Sequence, residues 1–385
     1  MNQTLNRRAL LSYGLLGIGT LPLFAGCGGG NSSSPTPIGL LPGDLTRQID
    51  AIIATRMQTD GLPGVALSVL IPSEGQYTVA KGTANLSTGE ARATDTPFRI
   101  ASISKTFTAT AIYLLVDQGR LSVGDKLAKW YPDFPKADRI TVDDLLRMRS
   151  GIVDSAGEPF VAEYFDNPTT SLTVEDMITR ASALSKNTSG DPNTATVYTN
   201  VNFQLLQRIA EKVSGQPLQD FIRDRIAGPL GLGSTYYATD NNLPGPNHGY
   251  SADLAGNLTD KTILNPAPAG GAGAVISTLA DLRVYTRALG RGDLLRSATQ
   301  ADRLRSQALA GNPEFVQYGG GITKLGRFIG HNGTIFGFSS EAWYLPEKDA
   351  VLVLNVNRLD EDDASKSTEL FLLLTKLLFP GLTNW

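Results

Sequence analysis

The sequence predicts an α+β fold in which an antiparallel sheet is built from both ends of the chain and is flanked by helices. Two strands joined by a turn are predicted at 65–71 and 77–81, and after Tyr318 the period changes from helical to alternating, with strand candidates at 328–329, 341–345 and 351–356. The chain between these two groups carries its apolar residues at helical spacing instead. We therefore expect one sheet made from both ends, an inserted all-helical lobe, and a cleft between sheet and lobe.

The predicted helices follow from apolar residues that recur three and four positions apart. The first helix, 45–57, is followed by the turn sequence Gly61-Leu62-Pro63-Gly64, and a second runs on from Ser102 to a stop at Gly119. The last helix is strongly apolar, and we expect it to dock on the sheet. Further helices are predicted at 142–148, 174–184, 202–213, 218–226, 279–289 and 365–378.

The composition is that of a globular protein. The 385 residues are 41% hydrophobic and 18% charged, which suffices for a large core. The single cysteine, Cys27, excludes a disulfide within the chain. A formal net charge of −3 makes nucleic acid a poor partner. Because the chain has two histidines and one cysteine without clustered ligand spacing, we expect neither a metal site nor a cofactor.

The N-terminal residues 1–26 are predicted to be an export signal, because Arg7 and Arg8 precede an apolar run that extends to Phe24. The two arginines are a loose match to a twin-arginine signal, and an ordinary basic region is the alternative. Cleavage after residue 26 removes both arginines and changes the formal charge from −3 to −5.

The residues that follow resemble the start of a bacterial lipoprotein. In the lipobox pattern, matched here by Leu23-Phe24-Ala25-Gly26-Cys27, the cysteine is acylated after cleavage. A lipidated Cys27 would anchor the protein to a lipid bilayer, and the segment 27–43, rich in glycine, serine and proline, would be a flexible tether. The folded domain is predicted at 44–385. A soluble secreted protein with a spare cysteine is the alternative.

The sequence Ser102-Ile103-Ser104-Lys105 places a hydroxyl and an amine three residues apart at the start of an apolar helix. Residues at this spacing are neighbours on a helix. A serine hydroxyl becomes a nucleophile only when a neighbouring base takes its proton, and Lys105 can be that base only when it is neutral. Read alone, Ser102 could equally be a helix cap and Lys105 a solubilising surface lysine.

Three further motifs accompany this pair: Tyr198-Thr199-Asn200, the glycine-rich turn 270–274, and Gly330-His331-Asn332-Gly333-Thr334. Together they resemble the serine penicillin-recognising enzymes, which comprise class C β-lactamases, serine D-alanyl-D-alanine carboxypeptidases and related esterases. The resemblance covers roughly residues 45–378. It implies a β-lactamase/transpeptidase-like fold.

The resemblance assigns catalytic roles to four residues. It makes Ser102 the nucleophile and Lys105 its base. It assigns to Tyr198 the role of transferring a proton between the nucleophile and the leaving group. It assigns to His331 the role of supplying a hydrogen-bond donor or a positive charge beside Ser102 and Tyr198. For an isolated tyrosine, a place in the core or at the rim is the more common role.

The resemblance also implies groups that bind the substrate. Asn200 would hydrogen bond the substrate amide, although a turn asparagine is the structural alternative. Gly333 would let the strand backbone approach the substrate. The backbone N–H groups of Thr334 and Ser102 would form the oxyanion hole.

One segment departs from the family pattern. A carboxypeptidase holds the free carboxylate of its substrate, usually through a charge-assisted contact. The matching relatives have an arginine just before the His-x-Gly motif, where this chain has Thr323. Lys324 and Arg327 are the candidates to replace it. The departure bears on the substrate, not on the acyl-transfer chemistry.

The sequence thus predicts an exported, membrane-anchored serine hydrolase that works through a Ser102 acyl-enzyme. The favoured activity is that of a D-alanyl-D-alanine carboxypeptidase on peptidoglycan peptides. An esterase or a β-lactamase on the same machinery is the first alternative, and a non-catalytic penicillin-binding-like module is the second. The expected partners are a small peptide, ester or β-lactam substrate and the lipid bilayer that holds Cys27.

Overall fold

The computed structural model describes residues 38–252, 256–360 and 365–383. The predicted signal peptide, Cys27 and most of the tether therefore lie outside the described residues. The strands are β1 (Gly64–Ile71), β2 (Gly75–Asn85), β3 (Glu90–Ala91), β4 (Phe98–Arg99), β5 (Tyr236–Tyr237), β6 (Tyr250–Ala252), β7 (Leu258–Asp260), β8 (Val275–Ser277), β9 (Gln307–Ala308), β10 (Val316–Tyr318), β11 (Thr323–Leu325), β12 (Phe328–Ile335), β13 (Phe338–Leu345) and β14 (Ala350–Val356).

The helices surround these strands, and a π-helical turn at 223–227 separates the seventh helix from the eighth. None of the helices within the described ranges is long and apolar enough to cross a membrane. Their bounds are α1 (Gly43–Asp60), α2 (Ser104–Asp117), α3 (Val142–Leu146), α4 (Glu158–Asp166), α5 (Val174–Thr188), α6 (Val201–Ser214), α7 (Leu218–Ile222), α8 (Gly228–Leu230), α9 (Leu279–Arg291), α10 (Ser297–Leu304) and α11 (Lys366–Leu378).

The main sheet joins the two ends of the chain, as the sequence predicts. Nine antiparallel strands follow the order β3-β2-β1-β14-β13-β12-β11-β10-β9. At its centre β1 pairs with β14, so that Val65 lies opposite Val356 and Leu70 opposite Val351. Both strands are buried along their whole length. Strands that are covered on both faces are largely apolar, and only Ser68 and Asn355 interrupt the apolar runs of these two.

Two layers of helices cover the sheet. On one face α1 and α11 pack over an apolar cluster that includes Leu67, Trp343 and Leu354. On the other face α2 and α9 pack over a larger cluster that extends into the mid-chain lobe. The lobe is helical from α3 to α8, and β4, β8 and β5 form a small second sheet at its border. These short strands are not predicted from the sequence.

The first of these layers also holds a buried carboxyl group. Glu341 of β13 is fully buried and accepts hydrogen bonds from the Trp343 indole at 2.7 Å, the Ser367 hydroxyl at 3.0 Å and the Thr368 hydroxyl at 2.6 Å. Ser367 and Thr368 lie in the first turn of α11, where backbone N–H groups favour negative charge. Burial still raises the pKa of Glu341 to about 7.

The helix that follows Ser102 is the central helix of the molecule. Most residues of α2 are buried, including Lys105 and three threonines. Thr106 and Thr110 donate their hydroxyls to backbone carbonyls in the preceding turn, and Thr108 donates to the carbonyl of Gly271 at 2.7 Å. A helix that is buried all round holds its side chains rigidly, which suits a site built at its start.

Candidate active site

Ser102 lies in a tight 3-10 turn, Ala101–Ile103, that connects β4 to α2. The α-helix begins at Ser104, two residues later than the sequence pattern indicates. Side chains three residues apart eclipse one another in a 3-10 turn, so Ser102 and Lys105 still share a face. The turn is entered through Ala101 at φ 49°. A non-glycine residue in this left-handed region costs on the order of 1–3 kcal/mol, and such residues cluster at functional sites.

The Lys105 amine is fully buried and makes three close contacts. Its Nζ lies 2.9 Å from Ser102 Oγ, 2.8 Å from Asn200 Oδ1 and 3.0 Å from the carbonyl oxygen of Ala272. Ala272 belongs to the glycine-rich turn of the sequence motif. Burial lowers the pKa of Lys105 to about 7, and the nearby Asp154 carboxylate opposes that shift. The neutral amine is therefore well populated near neutral pH.

Tyr198 and Asn200 stand on the opposite side of Ser102, just before α6. The Tyr198 ring centroid is 4.8 Å from Lys105 Nζ. Burial raises the pKa of the Tyr198 phenol, and a hydrogen bond with Ser102 partly offsets that rise. Asn200 is fixed by its backbone carbonyl, which accepts the N–H of Phe203 at 2.9 Å in the first turn of α6. The structure thus brings together four of the predicted site residues.

His331 of β12 is also at this site, but it carries no positive charge. Burial, together with a smaller effect of the neighbouring Lys105 amine, lowers its pKa to about 3. Its Nδ1 contacts the carbonyl oxygen of Asn332, which can only accept, so Nδ1 holds the proton. Its Nε2 lies 3.3 Å from the Tyr318 hydroxyl and accepts from it. The low pKa does not fit the positive charge that the resemblance allows for His331, whereas its role as a hydrogen-bond donor stays a prediction.

Tyr318 completes an aromatic cluster behind the site. Its ring packs edge-on against Tyr198 at a centroid distance of 5.9 Å and against His331 at 5.7 Å. The Tyr198 and His331 rings are 6.1 Å apart. Tyr318 and His331 are both buried. Together they support the Tyr198 ring from behind, and their own polar atoms are paired with each other.

The backbone of β12 runs directly past the Ser102 turn. Gly333 is in such close contact that an added Cβ would lie 2.9 Å from the Ser102 nitrogen. Ser102 and Thr334 both border the same cavity. This is the arrangement that the predicted oxyanion hole requires, since its donors belong to the turn and to the strand.

A cavity of about 230 Å³ opens beside Ser102. The helix α4 contributes Phe160, Val161 and Tyr164, and the end of β12 contributes Ile335 and Phe336. The Tyr164 and Phe336 rings are 5.3 Å apart. None of the described residues that line the cavity carries a charge. The space beside the nucleophile is therefore shaped for an uncharged, apolar group.

Lys324 and Arg327, the two candidates for binding a carboxylate, do not line this cavity. Arg327 lies in the turn between β11 and β12, and its exposed guanidinium pairs with Glu347 at 2.8 Å. The structure therefore does not bring Arg327 to the site. Lys324 lies on β11 opposite Ile329, two residues before His331, and burial lowers its pKa.

Asp154 is a site residue that the sequence analysis missed. One oxygen of its carboxylate, Oδ2, accepts the backbone N–H of Asn200 at 3.1 Å and the Asn200 side-chain amide at 2.9 Å. Forty-six residues separate the two in sequence, and no spacing rule links them. Tyr318 was missed for the same reason. Over the ranges that the structure describes, no three His, Cys, Asp or Glu side chains converge as metal ligands.

Comparison with known proteins places this geometry in a family. The model of the family described as Beta-lactamase matches residues 49–375. The chain belongs to the Beta-lactamase family. It therefore shares the serine hydrolase fold of that family.

Relatives within the Beta-lactamase family differ in what they are named for. Penicillin-binding protein 4* of Bacillus subtilis is 29% identical over 266 residues, which cover 64% of this chain and 57% of the relative. The chain thus spans little more than half of that protein. The D-stereospecific amidohydrolase from Streptomyces sp. superposes with a TM-score of 0.75 at 29% identity. The match covers 85% of this chain and 98% of the amidohydrolase.

A second solved structure gives the same picture. The D-amino acid amidase from Ochrobactrum anthropi SV3, complexed with L-phenylalanine amide, superposes with a TM-score of 0.77 at 26% identity. The match covers 87% of this chain and 98% of the amidase. The fold is thus shared with hydrolases of small amides as well as with penicillin-binding proteins.

Proposed function

We propose that this protein is a serine hydrolase that transfers the acyl group of an amide or ester to Ser102 and then to water. The observation that carries the proposal is the buried Lys105 amine, 2.9 Å from Ser102 Oγ, with its pKa lowered to about 7. A buried amine with this pKa can accept a proton at neutral pH. A surface lysine or a helix cap would need neither the burial nor the contact.

The hydrogen bonds of Lys105 explain how it would act as a base. A neutral amine has two N–H groups and one lone pair. The carbonyl oxygens of Asn200 and Ala272 can only accept, so they take the two N–H groups. The lone pair is left for the third neighbour, the Ser102 hydroxyl. Ser102 then donates its proton to Lys105 as its oxygen attacks the substrate carbonyl.

The remaining steps use groups around Ser102. The backbone N–H groups of Ser102 and Thr334 would bind the oxyanion, and removing one such donor typically costs about 10²–10³ in rate. Tyr198, which hydrogen bonds Ser102, would pass a proton to the leaving group. Water would then release the acyl group through the reverse proton transfers.

The cavity favours amides or esters whose acyl group carries an apolar side chain, and aromatic D-amino acid amides are our first choice. Its lining is aromatic and uncharged. The structural relatives that resemble the chain over most of its length include a D-stereospecific amidohydrolase and a D-amino acid amidase. These observations support the substrate class, and the named relatives suggest the stereochemistry.

A D-alanyl-D-alanine carboxypeptidase is the second candidate. It is favoured by the similarity to penicillin-binding proteins. This activity needs a cation for the terminal carboxylate, and Lys324 is the remaining candidate, on β11 next to the strand that carries His331. A β-lactamase or esterase would differ only in how fast water resolves the acyl-enzyme.

We also propose that the protein is exported and held at the membrane by a lipidated Cys27. The support is the sequence of residues 1–27. Cys27→Ser should move the protein from the membrane fraction to the soluble fraction. Unchanged fractionation would contradict lipidation.

One panel of substrates tests the proposed reaction. Purified protein receives D-phenylalanine amide, a p-nitrophenyl ester, nitrocefin and a D-alanyl-D-alanine tripeptide in parallel. We expect the amide and the ester to turn over, and Ser102→Ala to abolish turnover and covalent labelling by fluorescent penicillin. Ser73→Ala, in an exposed turn, is the matched control. Release of D-alanine without amide turnover would favour the carboxypeptidase, and absence of any covalent adduct would favour a non-catalytic module.

A further inference from the structure

We propose that Asp154 is a positioning residue that fixes the orientation of the Asn200 amide and thereby aims the lone pair of Lys105 at Ser102. This inference rests on the proposed function, because it concerns the base of that reaction. Asp154 lies in the loop between Gly151 and α4 and contacts neither Ser102 nor Lys105 by a hydrogen bond within the described contacts. It acts through Asn200.

The orientation of the Asn200 amide follows from its two neighbours. An amide presents an oxygen, which accepts, at one end and an NH₂ group, which donates, at the other. The ionised carboxylate of Asp154 can only accept, and its Oδ2 lies 2.9 Å from the Asn200 amide nitrogen. The amide oxygen must therefore point the other way, where it lies 2.8 Å from Lys105 Nζ. If the amide were reversed, the Asp154 carboxylate would face the Asn200 amide oxygen, and neither group could donate a hydrogen bond.

The position of Asn200 is held at the same time as its orientation. The same carboxylate oxygen accepts the backbone N–H of Asn200 at 3.1 Å. The other oxygen accepts the backbone N–H of Ala156 at 3.3 Å, which anchors the carboxylate in its own loop. One side chain thus fixes both the backbone and the amide of the residue that accepts from Lys105.

The consequence for Lys105 is geometric. Its N–H groups are directed to the oxygens of Asn200 and Ala272, and only then does its lone pair face Ser102. The Ala272 carbonyl belongs to the backbone and cannot turn over. The Asn200 amide can rotate by 180° at little steric cost. Without Asp154 the rotated amide would offer a donor to Lys105, and the lone pair would be drawn away from Ser102.

Charge provides a second, separable effect. The groups that face Lys105 are Tyr198 before α6, His331 on β12 and Asp154, while the turn 270–272 contributes only glycine and alanine. His331 and Tyr198 are neutral at pH 7. Asp154 is therefore the one negative group among these, and it favours the protonated amine. Removing its charge should lower the pKa of Lys105.

The test compares the wild type with Asp154→Asn in two measurements. The first is the ¹³C NMR titration of the Lys105 Cε signal in lysine-labelled protein, assigned through Lys105→Arg. The second is the pH profile of kcat/KM for the p-nitrophenyl ester. We expect Asp154→Asn to lower the Lys105 pKa, to move the acidic limb of the profile to lower pH, and to reduce kcat/KM at its plateau roughly 10- to 100-fold.

Three further variants make the result decisive. Asp133→Asn removes an exposed carboxylate and should leave both measurements unchanged. Asp154→Glu keeps the charge, and we expect its Lys105 pKa to stay near that of the wild type with less loss of rate. If Asp154→Asn does not fold, Asp154→Ser, which is shorter and uncharged, takes its place.

The outcomes separate this inference from the proposed function. A wild-type plateau of kcat/KM in Asp154→Asn overturns the positioning role of Asp154, and so does a loss of plateau rate that Asp154→Glu does not partly restore. A Lys105 titration unmoved in Asp154→Asn overturns the separate effect of the Asp154 charge. Absence of Ser102-dependent turnover in the wild type overturns the proposed function, and the NMR titration still decides whether Asp154 controls Lys105.

Discussion

Gly333 and Ser102 are in direct backbone contact across the cleft. A Cβ on Gly333 would lie 2.3 Å from the carbonyl oxygen of Ile100 and 2.9 Å from the nitrogen of Ser102. The strand and the turn therefore fit together only because this residue has no side chain. The contact sets the distance between the two backbone segments that border the cavity at Ser102 and Thr334.

Gly333→Ala should therefore disable the site. The added methyl group has to push β12 away from the turn, and a misplacement of about 1 Å can cost about 10²-fold in rate. We expect kcat/KM for the ester to fall by about that factor and the free energy of unfolding to fall by about 1–3 kcal/mol. Gly233→Ala is the control, since a Cβ there meets nothing within 4 Å. Normal activity in Gly333→Ala would contradict the close fit.

The activity should depend on the protonation of Lys105. Its pKa is lowered to about 7, so the amine is neutral above that pH and charged below it. Because the reaction needs the neutral form, kcat/KM should rise about tenfold per pH unit up to about 7 and then level off. Stopped-flow acylation by the ester between pH 5 and 9 measures this. A profile that is flat from pH 5 to 8 would exclude Lys105 as the base.

Tyr318→Phe tests whether His331 serves as a support for Tyr198. The variant removes the only hydroxyl that donates to His331 Nε2 among the described contacts, which should cost about 1 kcal/mol of stability. We expect a moderate loss of kcat/KM, about tenfold or less, with the acidic limb of the pH profile unchanged. A shift of that limb would mean that His331 is itself the titrating group.

Glu341 should make stability fall as the pH rises. Its pKa is about 7 in the folded protein against an ordinary value of 4.5 for a glutamate, so between these pH values the folded state holds a proton that the unfolded chain has lost. The free energy of unfolding is then highest below pH 4.5 and decreases as the pH rises through about 7. Urea unfolding at pH 5 and 8 should show a smaller difference in Glu341→Gln. The exposed Glu314→Gln should behave as the wild type.

Phe336→Ala tests the apolar cavity as the binding site for the acyl group. Phe336 packs against Tyr164 and Phe165 at centroid distances of 5.3 and 5.2 Å. Removing the ring should lower kcat/KM for D-phenylalanine amide about 10-fold or more while sparing a small acetyl ester. Val284→Ala, which truncates an exposed apolar residue, is the control. An equal loss on both substrates would argue against selective binding there.

Much of the fold is predictable because its signals are local. The strands β1, β13 and β14 and the amphipathic helices α5, α6 and α9 appear where the sequence patterns place them. The helix α4 was missed because it is short and has a proline in its first turn. That omission matters, since α4 supplies Phe160, Val161 and Tyr164 to the cavity wall.

The site was predictable only in so far as motifs mark it. Ser102, Lys105, Tyr198 and Asn200 converge as the motifs indicate. The protonation of His331 was not predictable, because it depends on burial and on the carbonyl beside it. Asp154 was not predictable either, because its contact with Asn200 is made only when two loops meet.

The pairing of β1 with β14 also bears on when this molecule can fold. The first strand, β1, pairs with β14, the last strand in sequence order among the described residues, so that Val65 lies opposite Val356. Contacts between such distant residues form slowly, because a long loop has to close first. A ribosome-bound chain therefore cannot complete its sheet until the C-terminal strand has emerged. We expect the sheet to be completed only after β14 has left the ribosome, and a truncation before residue 350 to leave one edge of β1 unpaired and aggregation-prone.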